Sequence, residues 1–238
     1  MSKHVNRLTA PRSWPVPKKT SKWITKPSPG PHPVEKSIPL LVVVRDMLGY
    51  CDTGPEARMI IGGRMIKVDG KVVTNSKHGV GLMDVVSIPK TNEHFRMMLD
   101  TNGRLRLVRI NEESAKWKLV RVENKTTIKK GKTQLNLHDG RNIVLENPGN
   151  FRTGDTVKIE IETQKILETY PFAEGNLAYL IGGKHVGELA TIQNYVVTRN
   201  PRANTIKFKE NFSTVKDNVF VVGINKPEVV LPEVKING

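Results

Sequence analysis

Cysteine is almost missing: Cys51 is the only one in 238 residues. One thiol cannot build an internal disulfide framework or a cysteine-rich zinc site, and such scarcity fits a reducing cytosol. Cys51, next to Tyr50, reads as a small apolar core residue rather than a catalytic thiol. Aromatic residues make up 5% of the chain and hydrophobic residues 37%. That is lean for one large core and suits several small domains, and the length is enough for more than one at roughly 100–200 residues each. No apolar run approaches the ~18–20 residues of a membrane span. No apolar stretch follows the basic residues near the start, so no secretory signal is expected, and the sequons at Asn124 and Asn211 have no evident use.

Negative charge is also in short supply. Lys and Arg number 38 against 23 Asp and Glu, which leaves a formal charge of +15. A charge of that size attracts polyanions, nucleic acid first and an anionic membrane surface next.

The signatures of nucleotide and metal chemistry are missing too. The stretch AYLIGGKHVGELATI, residues 178–192, has a Gly-Lys pair, but His185 follows Lys184 and Ala178 stands where the first P-loop glycine belongs. Gly131-Lys132-Thr133 fails likewise, with Thr126 in the glycine's place. No long helix pattern follows either Gly-Gly pair, as a dinucleotide site would need. There is no H-E-x-x-H, and His4, His32, His78, His94, His138 and His185 are dispersed, as surface or RNA-facing residues would be. No catalytic triad can be argued from spacing. No cofactor, metal or small-molecule substrate is expected, and nothing positive points to an enzyme.

Residues 1–36 are Pro-rich and basic. Lys3, Arg7, Arg12, Lys18, Lys19, Lys22, Lys26 and Lys36 face a single carboxylate, Glu35. Such a segment cannot bury enough apolar surface of its own to offset its ordering entropy. Yet it holds Trp14 and Trp23, two of the three tryptophans. Two readings stand: an arm that folds against RNA by phosphate contact and stacking, or one that packs its tryptophans on its own protein.

Residues 37–94 read as a compact α+β unit. Ser37 is placed to cap a helix, Pro39 suits its first turn, and Leu40, Leu41, Val44, Met47 and Leu48 recur at helical spacing before Gly49. Val42-Val43-Val44 leaves a buried strand open. Thr53-Gly-Pro-Glu56 has capping-box spacing. Ala57, Ile60 and Ile61 give the second helix its apolar face, with Arg58 on another side. Gly62-Gly63 reads as a helix-to-strand turn with glycine at positive φ. Asp69-Gly70 predicts a hairpin, and Asp84–Ile88 a closing strand.

Residues 95–170 read as nearly all β, in a small barrel or sandwich. Trp117, Leu119 and Arg121 alternate with Lys118, Val120 and Val122. Asp139-Gly140 marks another hairpin. Val157, Ile159 and Ile161 alternate with Lys158, Glu160 and Glu162, which predicts one wet face. Charged residues here read as a solvated face. Residues 171–225 hold further short strands, suggesting a second small barrel, and residues 226–238 look like a tail.

Residues 180–192, Leu-Ile-Gly-Gly-Lys-His-Val-Gly-Glu-Leu-Ala-Thr-Ile, are similar to the KOW motif of ribosomal and transcription-elongation proteins. Gly183 and Gly187 match its first two glycines and Leu180 and Ile192 its apolar ends, while Ala190 stands where a third glycine is usual. Residues 37–90 resemble the RNA-binding module first named for the fourth small-subunit ribosomal protein. Together with LTAPRSWPVPKK, PSPGPHP and GNLAYLIGGKHVGELATI, the chain resembles the archaeal/eukaryotic-type family of small-ribosomal-subunit protein four. Its shortness, without the longer ends of the eukaryotic form, looks archaeal.

The resemblance implies a multi-domain α+β protein. Its parts would be a basic N-terminal extension (1–36), a two-helix-plus-strands RNA-binding module (37–94), a central all-β domain (95–170) and a KOW/SH3-like barrel with a tail (171–238). It implies a structural, non-enzymatic constituent of the small ribosomal subunit, cytoplasmic, partnered by small-subunit ribosomal RNA and neighbouring ribosomal proteins, with no membrane. Expected RNA-binding residues are Arg7, Arg12, Trp14, Lys18, Lys19, Lys22, Trp23 and Lys26 in the arm. Arg45, Arg58, Arg64, Lys67, Lys71 and Lys77 follow in the module, and Gly183, Lys184, His185 and Gly187 in the turn. A KOW-bearing transcription or translation factor, and an RNA-modifying enzyme carrying the same module, are the alternatives. The second needs a catalytic constellation in residues 95–170, where Asp139 and Asp155 sit in turn contexts.

Overall fold

A computed structural model describes residues 4–146, 149–197 and 203–232. Lys3 and the last residues of the tail, 233–238, lie outside these described residues. The chain forms two units: Met1–Asp100 with Arg104–Lys118 and Leu231–Gly238, and Thr101–Gly103 with Leu119–Val230. It is mostly β with a few short helices, more β-rich than the α+β expectation.

In the first unit, β1 (His4–Asn6) and β2 (Trp23–Thr25) pair antiparallel with His4 opposite Thr25. The Pro-rich arm is thus anchored, and its Ala10, Trp14, Val16 and Ile24 are buried. The expectation that the arm lacks a core of its own is met by borrowing: it packs on the module that follows. β3 (Ser37–Pro39) pairs later with β6 (Gly79–Gly81). Ser37 is therefore a strand residue, not a helix cap; Pro39 is the residue before helix α1 (Leu40–Val42). The valine run is helical rather than extended. Leu40 to Val44 are all buried, and α1 widens into a π-helical turn over Val43–Met47, closed by Leu48 N donating to Val43 O at 2.9 Å. Gly49, at φ 68°, ends it.

Helix α2 (Gly54–Gly62) begins on the expected capping box, Thr53 with Glu56, and turns Ala57 and Ile61 inward. Its end differs from expectation. Gly63 has φ −70°, and the left-handed residue is Arg64, at φ 58°. A Cβ at Gly63 would lie 3.2 Å from Met59 O, a tight fit. β4 (Lys67–Val68) and β5 (Lys71–Val72) flank Asp69 and Gly70, both at positive φ, as a two-residue hairpin requires. With β7 (Val85–Ile88), β8 (Glu93–Leu99) and β9 (Leu105–Ile110) they form an antiparallel sheet of order β5-β4-β7-β8-β9. Helix α3 (Glu112–Ala115) follows.

β10 runs over Trp117–Thr127, its residues from Leu119 onward lying in the second unit. With β11 (Thr133–Leu137), β12 (Asn142–Leu145), β13 (Thr156–Glu160) and β14 (Ile166–Tyr170) it makes a sheet of order β12-β11-β10-β13-β14. Asp139-Gly140 turns the β11–β12 hairpin, with Gly140 at φ 74°. Val120, Val122, Leu135, Leu137, Val157 and Ile159 form its core. The one-wet-face pattern holds for β13 but not for β10, where Lys118 to Val122 are all buried. A second sheet of order β18-β17-β16-β15-β19 is built from β15 (Leu177–Leu180), β16 (Leu189–Val196), β17 (Thr205–Phe208), β18 (Ser213–Val215) and β19 (Val219–Gly223).

Candidate nucleic-acid interface

The arm divides its expected contacts between inside and outside. Trp14 is 2% exposed and its indole Nε1 donates to Ser37 O at 2.7 Å. Arg7 is buried too, with Nε donating to Pro17 O at 2.5 Å and Nη1 to Ser21 Oγ at 2.9 Å. Lys18 Nζ donates to Ala10 O at 2.6 Å. These three side chains are committed to the arm's own shape, and Trp14 follows the reading of a tryptophan packed on its own protein. Arg12, Lys19, Lys22 and Trp23 face outward. Lys22 Nζ stands 5.4 Å from the centre of the Trp23 ring, which is 53% exposed. Lys26 and Lys77, both half-buried, line one cleft with the Pro-rich residues 27–34.

In the helical module, α2 turns Arg58 and Met59 outward because Ala57 and Ile61 take the core side. Arg64 follows at its left-handed position, exposed. Neither arginine makes an ion pair among the described residues. Lys71 is exposed on edge strand β5 and Lys67 is half-buried on β4. Arg45 differs, since its guanidinium lies 2.8 Å from Asp46. Met59 at 75% exposure, Met65 and Val72 add apolar surface among these cations.

Sequence reading missed the buried charges. Lys118, fully enclosed, places Nζ 2.7 Å from Asp69 Oδ2 and 2.8 Å from Asp84 Oδ1. Asp84 Oδ2 also accepts Gly81 N–H at 2.8 Å and lies 2.9 Å from His32 Nε2. Burial alone would push the Asp84 carboxyl up. The Lys118 ammonium and His32 overcome that and hold it far below the usual carboxylate range. Nearby, burial pushes His78 down. Arg96, 1% exposed, stacks its guanidinium 4.3 Å over the Trp117 ring and donates to Ser114 O and Trp117 O; burial pushes it down to about 10. In the second unit Arg121, buried, donates to Asp217 O and Val219 O and pairs with Glu123. The Lys118 cluster is internally satisfied rather than open to a ligand. Among the described residues no group of His, Cys, Asp and Glu could hold a metal ion.

At residues 180–192, β15 and β16 pair antiparallel with Ala178 opposite Ala190. Between them Gly183 and Gly187 take φ 88° and 82°. Gly187 N donates to Leu180 O at 2.8 Å and Leu180 N to Glu188 O at 3.0 Å, which closes the turn. Both glycines thus answer a backbone demand. Lys184 is exposed. The His185 ring stacks on Phe212, a residue that its isolated place in sequence gave no reason to single out.

Comparison with known proteins sets this geometry in a family. Residues 91–166 match the model of ribosomal family S4e, residues 1–35 the RS4NT (NUC023) domain and residues 38–86 the S4 domain. The chain is 46% identical to small ribosomal subunit protein eS4 of Methanothermobacter thermautotrophicus, over 97% of this chain and 96% of that protein. It is 44% identical to the protein of the same name from Methanocaldococcus jannaschii, over 96% and 97%. The crystal structure of 30S ribosomal protein S4e from Thermoplasma acidophilum superposes with a TM-score of 0.69 at 34% identity, covering 79% of this chain and 95% of that one.

Proposed function

This chain belongs to the small ribosomal subunit protein eS4 family, and from that premise we propose that it is a structural constituent of the small ribosomal subunit. It binds small-subunit ribosomal RNA, sits beside other small-subunit proteins in the cytoplasm, and supports assembly and translation without catalysing a reaction. The family is one of ribosomal proteins, not enzymes.

The observation that carries the binding mode is the sorting of cations. Lys118, Arg96, Arg121 and Arg7 are buried and hydrogen-bonded within the protein. Arg12, Lys19, Lys22, Arg58, Arg64, Lys71 and Lys184 are exposed, and none forms an ion pair among the described residues. Unneutralised surface cations recognise phosphate and helix shape, which position a protein without reading sequence. In this reading the extension (1–36) contributes Arg12, Lys19, Lys22, Trp23 and Lys26. The module (37–94) contributes Arg58, Arg64, Lys67, Lys71 and Lys77, with Arg45 at its margin. The central β domain (95–170) serves as scaffold. The last part (171–238) is a KOW/SH3-like barrel that brings the Gly183–Gly187 turn, with Lys184 and His185, to RNA. Arg7, Trp14 and Lys18 act by holding the arm in shape.

The test is binding of the full chain to small-subunit ribosomal RNA across a salt series. Log K falls linearly with log salt, by roughly 0.7 to 0.9 per phosphate neutralised. Affinity that does not respond to salt overturns the reading.

A further inference from the structure

The Gly183–Gly187 turn carries a ring stack that its phosphate contacts do not use. Phe208, 1% exposed, ends β17 inside the second sheet's core. The chain then reverses: Asn211 takes φ 62°, Phe208 N donates to Phe212 O at 3.0 Å, and Asn211 N donates to Phe208 O at 3.3 Å. This tight turn lays Phe212 on Phe208, with centroids 5.0 Å apart and planes at 30°. It is also tied to β16, because Lys209 N donates to Thr191 O and Glu210 accepts Thr191 N–H, both at 3.0 Å. His185 lies next in the stack, 4.2 Å from Phe212 with planes at 17°. Glu188 Oε2, 3.0 Å from His185 Nδ1, fixes the ring's rotation.

The stack therefore runs from the core outward and ends in a ring with one face covered by Phe212. The His185 side chain keeps 36% of its surface exposed. A flat, fixed ring beside an exposed lysine offers what an unpaired base needs: a π-face already ordered, so that little side-chain entropy is lost on stacking. A staple between the two turns would use the His185–Phe212 contact alone; the part of the ring left exposed is what a base could use.

We propose that His185, supported by Phe212 and Phe208, is a stacking platform for one unpaired RNA base, a subsite distinct from the phosphate contacts. It rests on the RNA-binding reading above and adds a single-stranded element to it. It gives the turn a preference for a bulge or loop over a continuous helix, which phosphate contacts alone do not supply.

The test uses the full chain and two RNA probes, a blunt duplex and the same duplex with one unpaired adenine. The wild type binds the bulged probe more tightly by about 5- to 150-fold, the range of one base–aromatic stack. His185→Ala brings the two probes to equal affinity, whatever it costs on the duplex. His185→Phe retains it, and Lys184→Gln weakens both probes alike. Phe212→Leu, which withdraws the support without touching the outer ring, reduces the preference in part. Equal binding of the two probes by the wild type, or a preference that survives in His185→Ala, overturns the platform while leaving RNA binding in place. Binding of neither probe overturns the RNA-binding reading and the platform with it.

Discussion

Lys118 Nζ, with no side-chain exposure, lies 2.8 Å from Oδ1 of Asp84, which is itself 1% exposed. Thirty-four residues separate the two. Asp84 in turn faces His32 of the arm, so one carboxylate serves the strand leading out of the first unit and the segment leading in. Removing one member of such a pair leaves the other charge buried and uncompensated. Asp84→Asn is expected to cost about 3–5 kcal/mol in urea or guanidinium unfolding.

The same pair predicts an acid dependence. The folded Asp84 carboxyl is held below its unfolded value of about 3.9. Its stabilisation is therefore complete above that value and is lost as pH falls below it. His78, pushed down by burial from about 6.5, behaves likewise one step earlier: its share is complete above pH 6.5 and is lost as pH falls through that value. Stability measured against pH declines in two stages. His78→Gln abolishes the upper one, and a decline that begins only below pH 5 in the wild type would count against it.

Gly81 controls the arm through space. A Cβ there would sit 2.4 Å from Cγ of His32. Gly81→Ala must expel the imidazole from Asp84, so limited proteolysis within residues 15–35 accelerates. His32→Ala in the same background adds little further, because the two changes break one contact. Additive acceleration would contradict this.

How much was legible beforehand depends on distance along the chain. The Thr53–Glu56 capping box, the Asp69-Gly70 and Asp139-Gly140 hairpins and the positive-φ glycines at 183 and 187 are local demands, and each is readable within a few residues. Lys118 and Arg121 were misread as solvated because alternation assumes that polar positions meet water. The carboxylates that hold Lys118 lie 34 and 49 residues away and the carbonyls that Arg121 binds 96 and 98, with only Glu123 close in sequence. Trp14 was ambiguous for the same reason, as its acceptor on Ser37 is 23 residues on. Asp69 was legible as a turn residue and illegible as half of an ion pair.

Arg64 sets function against backbone. Its φ of 58° is unfavourable for a residue with a Cβ. Arg64→Gly relieves that, so stability holds or rises by up to about 1 kcal/mol, while affinity for RNA drops. Loss of both, or of neither, would contradict a functional reason for the strained arginine.

Lys19 and Lys22 are exposed on the arm, whereas Lys18 binds inward. Replacing Lys19 and Lys22 by Gln flattens the salt slope of RNA binding by about 1.4–1.8. Lys18→Gln alters the slope less and arm stability more. An unchanged slope in the double variant would remove the arm from the interface.

The most direct measurement is the number of copies of this chain on purified small ribosomal subunits after a high-salt wash. The structural role predicts one copy per subunit, retained through the wash. Loss in the wash, or far less than one copy, would contradict it and mark the chain as a transient RNA-binding factor.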